Sequence, residues 1–489
     1  MSVSGASDGY DSIGSRPTRM SLCSSAAQRA RCIAKDSGST ASKKNRELGG
    51  FMGASKVLVA ACGDHPERAS STRGATPYFS PTDDMMRLTM QFSANVEKLK
   101  PSATIAVSTL AKKLASEGRD ILNLAGGEPD FDTPEFISQA AIDGIRAGRT
   151  RYTPPAGLPE LRKAIAGRLS EQARRELDWN GIVVSTGAKQ ALFNATFTLF
   201  GPGDEVLIAS PYWTTYPDQV NIARAEPKAV FGAESRDFKI TADDLDAVCS
   251  EQTRGLILNT PSNPTGAVYS LEELEAIAIW ARDRSAWLIC DEIYRNIYHD
   301  ADRVAAPGIL ELPESSLGDF VLIDGVSKSY AMTGWRLGFS YTSVELSQKL
   351  TALQSQTTSN VATPTQVAAL EAFSNVEEAR ASIAEMRVAF TRRRDLVMAR
   401  MDELLPDMPY TRPHGAFYLY FRVDGFFDDG IPDASAWCSY LLEQQGVALV
   451  PGAAFGDDRW VRMSFAASDH VLEDAFSRIA AMVSAATLA

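Results

Sequence analysis

Five short segments combine residue types that can do chemistry with spacing that places them at the ends of apolar runs. STGAKQ (Ser185–Gln190) follows the β-branched run GIVVST, and backbone N–H groups that open a helix after a strand can hold a phosphate. It does not match the Gly-x-x-x-x-Gly-Lys-Ser/Thr pattern of nucleotide hydrolases. Taken alone, a bare strand–turn–helix explains it better. SPYWTTYP (Ser210–Pro217) puts Trp213 just past another apolar run, as a core or rim aromatic or as a ring to stack on a planar ligand. NTPSNPTG (Asn259–Gly266) is forced into an irregular loop by its prolines and glycine; it is a structural turn, or one that offers the Asn263 amide to a site. CDEIY (Cys290–Tyr294) ends an apolar run on Asp291, a carboxylate that needs a partner if buried, such as a protonated ring nitrogen. In DGVSKSYAMTGWRLGF (Asp324–Phe339), Lys328 follows an apolar run directly. Such a lysine is ordinarily a solvated surface group, but beside a cofactor aldehyde it is a Schiff-base lysine. Arg336, eight residues on, is suited to pairing a phosphate.

These segments need a scaffold that brings strand ends together. EVLIAS, GLILNT, WLICDE and FVLIDG are short apolar runs, and LEELEAIAIWARDRS (Leu271–Ser285) is an amphipathic helix between two of them. Such alternation predicts parallel βαβ units and an α/β sheet covered on both faces, with ligands beyond the carboxyl ends of its strands. Residues 376–405 read as one helix long enough to bridge two domains. GAFYLYFRV, a helix around SAWCSYLLEQQG, VALVPG and WVRMSFA follow, an α+β pattern. The segment near residues 92–130 is expected to pack on that second domain. The expected division is a leader over 1–84, an N-terminal segment of the small domain over 92–134, a large domain over 135–375, and an interdomain helix with the small domain over 376–489.

Composition narrows the function. The 489 residues carry 49 Lys+Arg and 61 Asp+Glu, a net charge of -12, which argues against a nucleic-acid partner. No apolar run reaches membrane-spanning length. The charge is unevenly spread: residues 1–84 hold 11 basic and 8 acidic residues with 15 Ser, and no Trp. Their one apolar patch, Lys56–Cys62, comes too late for a secretory signal. Two expectations remain for this stretch. One is a start codon placed too early, with Met85, Met86 and Met90 just before the patterned sequence; the other is an organellar transit peptide, which the eight acids oppose. None of the six cysteines forms a C-x-x-C pair, so zinc and dithiol motifs are absent, and the three scattered past the leader, Cys249, Cys290 and Cys438, suggest a reducing compartment. A cytoplasmic location is expected, or a plastid or other organelle if the leader is a transit peptide.

GEPDFDTP, RYTPPAG, SPYW, PSNPTG, DEIY, SKSYAMTGWRLG and VRMSFA, in this order and spacing, resemble the fold-type I pyridoxal-phosphate aminotransferases. The likeness covers about residues 92–487. It is nearest the class I aspartate aminotransferase branch that includes prephenate aminotransferases. The resemblance implies a large domain with a mixed, mostly parallel seven-stranded sheet, a smaller α+β domain, and a homodimer with shared sites. It implies that Lys328 is the Schiff-base lysine and the general base, that Asp291 pairs the pyridinium nitrogen, and that Tyr294 and Asn263 bond the ring hydroxyl oxygen. Trp213 then stacks on the ring. Gly187, Ala188, Lys189, Ser327 and Arg336 surround the phosphate, with Tyr152 reaching it from the other subunit. Many relatives carry a phosphate-binding serine where this chain has Gly325, with Ser327 beside the lysine instead. Arg462 is implied to hold the substrate α-carboxylate, with backbone contact from Gly127.

The resemblance implies ping-pong transfer of an amino group between aspartate or glutamate and 2-oxo acids. Thr104 and Lys189 occupy positions linked in that branch to distal-carboxylate and prephenate recognition, so the resemblance points to prephenate, yielding arogenate, as an additional acceptor. For Thr104 an ordinary loop or cap residue, and for Lys189 phosphate-side solvation, are the plainer readings. Two enzymatic alternatives keep the fold: an aromatic or kynurenine-type aminotransferase and a pyridoxal-phosphate β-lyase. A pyridoxal-phosphate-binding regulatory module is the alternative from another class; the leader shows no helix-turn-helix pattern for it.

Overall fold

The computed structural model describes residues 93–97, 99 and 101–487, all within the unit Arg87–Ala489. The expected leader, the three methionines after it and the start of the N-terminal segment lie outside the described residues.

The strands are β1 (Leu122–Asn123), β2 (Ile182–Ser185), β3 (Glu205–Ser210), β4 (Glu226–Phe231), β5 (Thr253–Asn259), β6 (Trp287–Asp291), β7 (Phe320–Gly325), β8 (Gly338–Tyr341), β9 (Tyr410–Thr411), β10 (Tyr418–Arg422), β11 (Val447–Ala448), β12 (Val450–Pro451) and β13 (Trp460–Ser464). Seven form one sheet in the order β2-β8-β7-β6-β5-β3-β4. β3, β4, β5, β6 and β7 run parallel to one another there, whereas β8 is antiparallel to both β2 and β7. The expected mixed, mostly parallel seven-stranded sheet is therefore present.

The central strands are buried on both faces, as their near-continuous apolar sequences require: Leu256, Ile257 and Leu258 of β5 and Leu288, Ile289 and Cys290 of β6 are all buried. The helix Leu271–Asp283 shows how a crossover is fixed. Ser270 and Glu273 form a reciprocal capping box, contributing about 1 kcal/mol. Leu274, Ile277, Ala278 and Ala281 then recur at helical spacing and enter the core.

A second sheet has the order β12-β13-β10-β9. The helix Val376–Leu404 lays Met386, Phe390, Val397 and Met401 into the apolar cluster under it. The segment after residue 93 joins this side: β1 pairs in parallel with β11, and Ala111 packs with Leu442 and Ala448. No helix among the described residues is long and apolar enough to cross a membrane.

Candidate active site

Parallel register brings the chemistry together. Asn259 at the end of β5 pairs in register with Asp291 at the end of β6, and Asp291 with Ile323 of β7, two residues before that strand ends. Lys328 lies in the short helix Val326–Ser329 that follows. Trp213 follows β3. Beyond these carboxyl ends is a cavity of about 310 Å³, lined by Lys328, Asp291, Tyr294, Asn263, Trp213, Arg462 and neighbours. Of the other residues singled out in the sequence, Gly127, Ala188, Lys189, Ser327, Arg336 and Thr104 also line it. Tyr152 does not: it is 92% exposed and outside this lining.

At one wall, the helix Ala188–Leu199 opens at Gly187, which has φ +84° and makes no side-chain cap. Its first N–H groups therefore face the cavity end without an intrahelical acceptor. The antiparallel insertion of β8 delivers Arg336 to the same place, so close that a Cβ on Gly187 would lie 2.7 Å from Arg336 Nη2. An open helix N-terminus beside a guanidinium suits a phosphate dianion. Lys189 is exposed at this mouth with Nζ 4.9 Å from the Trp213 ring centroid; partial desolvation, then the Arg336 charge, lower its pKa.

At the floor, Asp291 is 3% exposed. Burial pushes its carboxyl up to about 6, against the opposing pull of hydrogen bonds from the Tyr216 hydroxyl and the Ile293 N–H and of the Lys328 charge. Tyr216 Oη donates to Oδ2 at 2.8 Å, and Ile293 N to Oδ1 at 3.1 Å. Asn259 Nδ2 donates to the Asp291 carbonyl at 2.8 Å and its Oδ1 accepts from Asn263 N at 2.8 Å, tying the proline-rich loop to the strand ends. Lys328 Nζ donates to the Gly127 carbonyl. Burial, partly opposed by Glu128 and aided by Arg462 and Arg336, brings its pKa down to about 8, within reach of a neutral amine at physiological pH.

The opposite wall comes from the second sheet. Arg462 on β13 is 1% exposed. Its Nη1 donates to Asn263 Oδ1 at 2.9 Å and its Nη2 to the Ala125 carbonyl at 2.9 Å, while Nε has no partner among the described residues. Among the described residues no carboxylate forms an ion pair with it, and burial lowers its pKa. A buried cation without an anion is costly unless a ligand supplies one. Arg462 is therefore arranged to receive a carboxylate. A separate surface cavity of about 330 Å³ borders Lys239 and Arg303, but those charges are already paired with Glu273 at 2.6 Å and Glu311 at 2.7 Å.

Five polar residues of the cavity escaped the sequence reading: Ser102, Tyr216, Asn259, Thr333 and Tyr418. Tyr216 sits three residues after Trp213, a spacing that puts both on one side of the helical turn, and the rings meet edge to face at 5.5 Å. That spacing was the one available signal. Tyr418 reads as a strand core aromatic, and nothing local marks its hydroxyl.

Residues 119–479 match the family model described as aminotransferase class I and II. The chain belongs to this family. It is a transaminase. It is 41% identical over 397 residues to an aspartate/prephenate aminotransferase of Cereibacter sphaeroides, covering 80% of this chain and 98% of the relative. It is 37% identical to an aspartate aminotransferase of Bacillus subtilis, covering 80% and 98%. Among solved structures, an aspartate aminotransferase from Thermus thermophilus with maleate superposes with a TM-score of 0.75 at 37% identity, covering 80% of this chain and 99% of that one.

Proposed function

We propose that this transaminase uses pyridoxal phosphate to move the amino group of aspartate or glutamate to a 2-oxo acid, releasing oxaloacetate or 2-oxoglutarate. The observation that carries this reading is the convergence on one cavity of Lys328, Asp291 and the buried Arg462, which has no carboxylate partner among the described residues. The residues present fit the cofactor: a phosphate-sized cradle at Gly187, Ala188 and Arg336, a buried carboxylate for a ring nitrogen, and an amine of lowered pKa. When bound, pyridoxal phosphate supplies the carbonyl that accepts the amino group and the ring that accepts electrons.

The chain's own residues do the rest. Arg462 forks onto the substrate α-carboxylate, aided by Asn263 and the Gly127 backbone, and fixes the Cα–H bond. Lys328 Nζ, neutral, takes the proton from Cα and returns one on the cofactor side. Asp291 keeps the ring nitrogen protonated. Tyr294 and Asn263 would donate toward the ring hydroxyl oxygen, and Trp213 would supply a ring to stack on. Lys189 and Arg336 would neutralise the phosphate and Ser327 would hydrogen-bond it, joined by Tyr152 of the partner subunit in a homodimer. At 92% exposure Tyr152 is free to reach a second chain. We also propose the division 92–134, 135–375 and 376–489 for the two domains, and a cytoplasmic location.

Prephenate is proposed as a further acceptor, giving arogenate. Thr104 and Lys189 line the same cavity as Arg462, where a second carboxylate would lie. Purified protein supplied with glutamate or aspartate and prephenate should form arogenate; oxaloacetate and 2-oxoglutarate exchange without arogenate contradicts the prephenate assignment alone.

A further inference from the structure

The buried Tyr418 stands between the two halves of the site. Its hydroxyl is 2.8 Å from Tyr294 Oη. Its ring face lies against Arg462, whose guanidinium carbon is 4.4 Å from the centroid. A Cβ on Gly127 would sit 3.2 Å from the same hydroxyl, so the backbone that receives Lys328 Nζ also packs on it. β10 and β13 fix this placement: Tyr418 pairs in register with Ser464 and Tyr420 with Arg462, which puts Tyr418 and Arg462 on one face of the sheet.

Two phenols at this distance share one hydrogen on the line between them, so only one of them is free to donate elsewhere. Arg462 beside the Tyr418 ring draws charge from its hydroxyl and makes it the better donor of the two. Burial raises both phenols, Tyr294 well above the usual range, and Arg462 pulls both down, at Tyr418 as the largest influence after burial. We propose that Tyr418 is a positioning residue with two arms: its hydroxyl donates to Tyr294 and thereby directs the Tyr294 hydrogen into the cavity, and its ring seats Arg462 for the substrate carboxylate. The proposal rests on the pyridoxal-phosphate reading, in which Tyr294 donates to the ring oxygen.

A hydrogen bond received by Tyr294 strengthens the one it gives. A stronger bond to the ring oxygen stabilises negative charge there and lowers the basicity of the Lys328 nitrogen beside it. Losing the Tyr418 hydroxyl therefore raises the pH at which that nitrogen loses its proton.

The test is a pH titration of the visible absorption of the loaded protein, with aspartate kinetics on the same samples. Tyr418→Phe keeps the ring and the packing. Its titration midpoint is expected to rise by roughly 0.3–1 pH unit, with KM for aspartate within about twofold of the parent. Tyr294→Phe raises the midpoint further, and adding Tyr418→Phe to it changes nothing more, because the hydroxyl acts only through Tyr294. Tyr418→Leu removes the ring as well and raises KM by roughly 3- to 30-fold. A midpoint unmoved or lowered in Tyr418→Phe overturns the proposal, as does a full additive shift in the double variant. The phenylalanine variant decides the first point even if the leucine variant is unstable. A parent protein that takes up pyridoxal phosphate without any titrating visible band contradicts the proposed cofactor chemistry itself.

Discussion

The Tyr216 hydroxyl donates to Asp291 across 2.8 Å, from the helix after Trp213 to the end of β6, and both side chains are buried. That bond is one of the few influences holding the Asp291 carboxyl down to about 6 against its burial. Tyr216→Phe removes it, so the Asp291 carboxyl titrates higher and its charge at neutral pH is less secure. kcat/KM for aspartate is expected to fall roughly 5- to 30-fold, the size of one hydrogen bond to a charged group. Asp291→Ala should lose about 10²–10³-fold. Steady-state assays of both variants, each fully loaded, check the order; a phenylalanine variant as active as the parent contradicts it.

Lys328 carries a pH prediction. Its pKa lies near 8, lowered by burial and by Arg462 and Arg336. Only the neutral amine is a nucleophile, so the rate of loading apo-protein with pyridoxal phosphate should rise with pH through about 8 and then level off. A rate still climbing tenfold per unit well above that point would mean an unshifted lysine. Stopped-flow absorbance distinguishes the two curves.

Arg462 is buried without a carboxylate partner among the described residues, so a ligand carboxylate should stabilise the protein through it. Saturating a non-reactive dicarboxylate at about 100 times its Kd adds about 2.7 kcal/mol to the parent. Arg462→Ala should abolish most of that rise in melting temperature and cut kcat/KM by about 10²–10³-fold, because it removes a charged fork. An undiminished thermal shift in the variant argues that the carboxylate binds elsewhere.

Gly187→Ala tests the phosphate end. The position has φ +84°, and the new Cβ would meet Arg336 Nη2 at 2.7 Å. Strain and the displaced guanidinium together should weaken cofactor affinity by roughly 10- to 100-fold. Equilibrium dialysis gives the change, and kcat at saturating cofactor should suffer less.

Much of this arrangement was legible in sequence because the physics is local. An aspartate closing an apolar strand needs a partner if buried, so Asp291 stood out, whereas Lys328 reads as a surface group until its motif is set beside the others. The strands EVLIAS and FVLIDG read correctly because both sheet faces demand apolar residues. β4 (EPKAVF) and β8 (GFSY) did not: one is a polar edge strand and the other four residues long. The place of β8 between β2 and β7 is a long-range pairing that no local pattern encodes, and it alone puts Arg336 beside Gly187. Tyr216 and Tyr418 were hidden for another reason. A buried tyrosine is identical in sequence to any core aromatic until the partner of its hydroxyl is known.

The most direct test of the central claim is a single half-reaction. Loaded protein mixed with aspartate, without acceptor, should release oxaloacetate in proportion to active sites as its visible absorption changes, and 2-oxoglutarate should restore the original spectrum with formation of glutamate. Lys328→Ala should do neither at a measurable rate. Stoichiometric oxaloacetate from the alanine variant at the parent's rate, or no spectral change in the parent, would contradict the account.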